Sequence, residues 1–90
     1  MEQKFLEALA TAREKAAALG VRIRPVTALQ EARRTLSGSR LSDGFQQLAQ
    51  LKRLDLSLEA LAVDKRFTGL FTDEEANEAL MRLLEAGHKF

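Results

Sequence analysis

Apolar positions recur at helical spacing along most of the chain, and they crowd most closely between Phe45 and Val63, FQQLAQLKRLDLSLEALAV. That leucine-rich stretch reads as the hub. A helix is predicted from near Ser42 to about Leu54, with Leu41, Phe45, Leu48, Ala49 and Leu51 on a broad apolar arc and Gly44 in its first turn. The chain then turns at Leu54–Ser57, and Ser57 or Asp55 caps a shorter helix through Leu58, Leu61 and Ala62.

Elements on either side are predicted to pack against this corner. The first helix is expected over Glu2 to Leu19, because Phe5, Leu9, Ala12, Ala16 and Leu19 follow a 4-3-4-3 spacing, and Gly20 supplies a left-handed stop. Val21 to Val26, VRIRPV, alternates apolar and basic residues ahead of Pro25, so an extended connector with Val21 and Ile23 inward is predicted. Thr27 to Gln30 has capping-box form and opens a second helix with Leu29, Ala32 and Leu36 on its apolar face, ending at Gly38. Phe67, Leu70 and Phe71 are too apolar to be left in water and should close the core. Thr72 to Glu75 is a second capping box, with acids in the first turn where the helix dipole favours them; Ala76, Leu80, Leu83 and Leu84 form the stripe, and Gly87 the stop.

The fold class expected is all-α: a single compact bundle of four to five short helices, one domain spanning residues 1–90. At ninety residues, 46% hydrophobic and 30% charged, the chain has enough apolar surface to close one core without staples. It lacks cysteine, which removes disulfides, thiolate nucleophiles and Cys-ligated zinc, and a reducing cytoplasm is the compartment expected. The first fifteen residues mix acids and bases through their apolar positions, so neither a signal peptide nor a membrane span is predicted.

Net charge is only +1, but it is unevenly placed. Between Gly20 and Arg40 stand Arg22, Arg24, Arg33, Arg34 and Arg40 against Glu31, a local +4; between Asp73 and Glu85 stand Asp73, Glu74, Glu75, Glu78 and Glu85 against Arg82, a local −4. Catalysis has little to work with. The one histidine, His88, lies two residues from the end, no His or Cys cluster is available to a metal, and Ser37-Gly38-Ser39 lacks the lysine and flanking glycine of a phosphate-binding loop. No cofactor, no metal and no enzymatic activity are therefore expected.

Gln47 to Val63 can be laid loosely on a helix-turn-helix, with Glu59, Ala60 and Asp64 as the exposed residues of the second helix; a helix led by Glu59 would repel the phosphate backbone. Leu56-Ser57-Leu58-Glu59-Ala60-Leu61 followed by Thr72-Asp73-Glu74-Glu75 resembles pieces of the N-terminal helical domain of eukaryotic transcription elongation factors, which would imply a protein-docking bundle. The resemblance spans about a quarter of the chain, and the family's basic, asparagine-containing helix is missing between the pieces.

The function expected is a small non-enzymatic interaction or regulatory module that docks on another protein or a second copy of itself. Candidate contacts are Phe5, Leu9, Ala12 and Ala16 on the first helix, and Arg22, Arg24, Arg33, Arg34 and Arg40 on the basic segment. The alternative is a nucleic-acid-binding regulator that uses those arginines on phosphates, with a helix-turn-helix-like core. No membrane contact is expected.

Overall fold

Helical spacing in the sequence becomes helix in the computed structural model, which describes residues 2–38 and 41–88. The elements are α1 (Glu2–Ala18), α2 (Leu29–Ser37), α3 (Phe45–Gln50), α4 (Leu58–Ala62) and α5 (Asp73–Glu85), with 3₁₀ turns at Leu54–Leu56 and Thr68–Leu70. The described residues contain no strand, and the all-α bundle of short helices is the fold that forms. Arg40 lies outside the described residues.

α1 runs across the 54–56 turn, α4 and α2. Phe5 is fully buried at the centre and meets Phe67 and Phe71 edge-on, with ring centroids 5.3 and 5.2 Å away. This T-shaped geometry sets ring edges against ring faces, which adds to the area these side chains bury. The expected closure by Phe67 and Phe71 therefore holds, and Leu70 is half-buried beside them. The end of α1 is a Schellman turn: Gly20 at φ +87 lets its own N–H reach Ala17 O and the Val21 N–H reach Ala16 O, while Val21 packs inward. Leu19, expected on the buried face, is exposed because the helix ends one residue before it.

The connector keeps its alternation, with Val21 buried, Ile23 half-buried, and Arg22 and Arg24 outside. Its backbone is pinned where the Arg24 N–H donates to Asp43 Oδ2 at 2.8 Å. The capping box expected at Thr27 does not form: α2 begins at Leu29, Ala28 occupies the cap position, and the Thr27 hydroxyl donates instead to Glu31 Oε1 at 3.0 Å. α3 is also shorter than expected. Gly44, left-handed at φ +76, starts it, and Lys52, left-handed at φ 59, turns the chain after it, with the Arg53 N–H on Leu48 O. Leu41 and Leu51, expected on the buried arc, consequently stay exposed.

Ser57, rather than Asp55, caps α4: its hydroxyl oxygen accepts from the Ala60 N–H and its O–H donates to Leu54 O. Asp55 pairs with Arg53 in solvent. The capping box of α5 is complete, with Thr72 Oγ accepting from the Glu75 N–H at 3.1 Å and Glu75 Oε1 accepting from the Thr72 N–H at 2.8 Å. The buried stripe of α5 differs from the one expected. Glu75, Ala79, Arg82 and Leu83 face the core, Ala76 and Leu80 are half-buried, and Leu84 is exposed. The rotation follows from Arg82, whose inward charge has a partner waiting.

Candidate functional site

That partner is Glu59. α4 holds Leu58, Glu59, Leu61 and Ala62 in the core, so the residue expected at the tip of a DNA-reading helix is fully buried and α4 turns its length inward. The Arg82 Nη1 group lies 3.2 Å from Glu59 Oε2. Glu59 also accepts from the Ser42 N–H at 3.1 Å and from the Ser42 hydroxyl. Arg82 uses its remaining donors on Thr35 O at 3.3 Å, Gly38 O at 2.8 Å and Glu78 Oε1 at 3.0 Å. One ion pair thus fastens the end of α2, the residue 42 backbone, α4 and α5. A buried charge pair survives only when its other donors and acceptors are occupied, and no buried side-chain polar atom among the described residues lacks a partner. The pair is therefore a structural fastening. Nothing in the sequence pairs these two residues: Glu59 reads there as an exposed helix residue and Arg82 as a lone base among acids, although Arg82 does fall three and seven positions after Ala79 and Glu75, on their stripe.

The predicted contact residues separate into three environments. Phe5, Ala12 and Ala16 are buried against their own chain, so the α1 face expected to dock is occupied internally; Leu9 alone of the four stays half-exposed. Arg33 faces α5, where its Nε donates to both carboxylate oxygens of Glu75 at 3.1 Å. Burial pushes the Glu75 carboxyl up, but the Thr72 N–H and the Arg33 guanidinium together hold it below the usual glutamate range. Arg22, Arg24 and Arg34 remain exposed.

Arg24 and Arg34 border a groove of about 1190 Å³ between α1, the connector, α2 and the start of α3. Arg13, which sequence reasoning passed over, joins them from α1, one helical turn after Leu9. Leu9, Ile23 and Val26 are its half-buried lining and Leu41 its exposed edge; Phe45 is buried at the bottom. Gly44 permits this wall, since a Cβ there would sit 2.9 Å from Val21 Cγ1 and 3.0 Å from Ile23 Cγ1.

Ion pairing among the arginines is uneven. Arg33, Arg53, Arg66 and Arg82 each face a carboxylate at 3.0–3.2 Å. Arg13, Arg22, Arg24 and Arg34 have no side-chain partner among the described residues, and three of these four line the groove. A smaller hollow of about 560 Å³ lies between α4 and α5, lined by Ala60, Leu61, Val63 and Leu80 with Asp55 and Asp64 beside them. Both of those acids are held by neighbouring arginines. Within the described residues, no three His, Cys, Asp or Glu side chains gather as metal ligands, and no helix is long and apolar enough to cross a membrane.

Comparison with protein-family models, curated proteins and solved structures found no match.

Proposed function

We propose that this protein is a non-enzymatic helical docking module, and that the groove between α1, the connector and α2 receives a segment of another protein. One observation carries this: an open groove with half-buried aliphatic lining is bordered by three of the four described arginines that have no ion-pair partner, Arg13, Arg24 and Arg34. Internal packing already occupies Phe5, Ala12 and Ala16, so partnership is assigned to the groove rather than to self-association through α1. Its volume also exceeds the ~300–1,000 Å³ usual for small-molecule pockets, which suits a peptide segment.

The test is affinity capture with the full chain from a nuclease-treated source lysate, comparing wild type with Arg24→Glu/Arg34→Glu, alongside light scattering of the purified protein. The expected result is a monomer that recovers a discrete protein, lost in the double variant. Equal recovery by both forms, or recovery of nothing, would contradict it.

A second proposal, nucleic-acid binding, draws on the same unpaired arginines. It requires an affinity that falls steeply with salt, and it ends if no binding is seen at low ionic strength.

A further inference from the structure

We infer that the groove's occupant is an acidic, amphipathic segment of a partner protein; this rests on the docking function proposed above and specifies its chemistry. The lining carries Arg13, Arg24 and Arg34 against Glu31 and Asp43. Both carboxylates already accept hydrogen bonds from within the chain, Glu31 from the Thr27 hydroxyl and Asp43 from the Arg24 N–H. The arginine side chains make no such bond, so the unsatisfied hydrogen-bonding capacity at the rim is that of donors carrying positive charge. A guanidinium presents a planar fork that matches a carboxylate in two parallel hydrogen bonds, so Asp and Glu side chains are its natural complement.

Charge alone would suit phosphate equally well, and the lining decides between them. Leu9, Ile23 and Val26 are half-buried and Leu41 is 39% exposed, and these aliphatic side chains line the same groove as the arginines. A sugar-phosphate backbone has no projecting aliphatic side chain to cover that surface. Bases would need an aromatic face on which to stack, and the groove's one aromatic, Phe45, is only 3% exposed. A segment with leucine-like side chains on one face and carboxylates flanking them covers both features at once. Apolar anchors at helical spacing are the usual way such a segment fills a groove between helices.

The direct test is selection from a display library of random sixteen-residue segments on the immobilised full chain at physiological salt. The enriched peptides are then titrated against wild type, Arg24→Glu/Arg34→Glu, Leu41→Ser and, as an opposite-face control, Met81→Ser/Leu84→Ser. All substituted side chains are exposed, and each variant is checked by thermal melting. The expected peptides carry more Asp and Glu than Lys and Arg, interleaved with Leu, Ile or Phe. They lose affinity at least tenfold in the arginine variant, lose it also in Leu41→Ser, and keep it in the control.

Basic or neutral peptides that still lose affinity in Leu41→Ser would overturn the acidic partner while leaving docking in the groove intact. Acidic peptides indifferent to the arginine reversal would overturn the site. No enrichment on wild type at all would overturn docking itself.

Discussion

Glu59 and Arg82 meet at 3.2 Å in the core, and between them they hold Ser42, Thr35 O and Gly38 O, so four segments distant in sequence depend on one ion pair. Removing either partner leaves an uncompensated buried charge, which costs roughly 3–5 kcal/mol. Replacing both with apolar groups of similar size is often neutral or better. Glu59→Leu and Arg82→Met should each lower stability by about that amount, and the double variant should lose far less than their sum. Urea denaturation of the four proteins measures the coupling. Simple additivity would contradict the fastening role.

Gly44 and Gly20 both sit at positive φ, yet only one is crowded. Gly20→Ala meets open space and should cost about 1–2 kcal/mol, the penalty for an L side chain in the left-handed region. Gly44→Ala pays the same penalty and drives a methyl into Val21 and Ile23, which adds roughly 1–3 kcal/mol of overpacking. Thermal melts should therefore rank Gly44→Ala well below Gly20→Ala. The reverse order would mean that the connector moves freely away from α3.

Phe5 should be the most sensitive residue of α1. Phe5→Ala removes a fully buried ring and its edge contacts to Phe67 and Phe71, for roughly 3–5 kcal/mol. Leu9→Ala, at a half-buried position, should cost about 1 kcal/mol. Comparable losses would place Leu9 in the core rather than in the groove.

Glu75 links acid sensitivity to α5. Its carboxyl titrates lower in the folded chain than in the unfolded one, where the value is about 4.3. The unfolded state therefore binds more protons in the interval between, and stability rises with pH there. The contribution is fully present above about pH 5 and is lost as pH falls through the folded value. Glu75→Gln should lower stability at neutral pH and flatten the acid limb below pH 5. Denaturation midpoints from pH 3 to 7 read this directly; an unchanged acid limb would contradict it.

Local chemistry was the legible part of the fold. Ser57 and Thr72 cap their helices because acceptor and orphan N–H lie three residues apart in the chain, and Gly20 and Gly87 end α1 and α5 at φ +87 and +81. The same local signal misled at Thr27, where the connector, pinned by Asp43, delays the helix start to Leu29. Leucines distributed around short helices could not reveal which face was inward, so Leu51 and Leu84 were expected inside and lie outside. The buried pair was hidden for another reason: a glutamate on one helix and an arginine on another look solvated until the fold brings them together. The groove was visible only in fragments, as Leu9, Arg24 and Arg34, because Arg13 joins them through packing between α1 and the connector.

Docking in that groove is tested most directly by following the backbone amide signals of the ¹⁵N-labelled protein as the leading acidic display peptide is added. Shifts concentrated at Leu9, Arg13, Ile23, Arg24, Val26, Arg34 and Leu41, with Ala60, Leu61 and Leu80 unmoved, are the expected result. Shifts centred on the hollow between α4 and α5, or none at a peptide concentration that saturates binding, would contradict it.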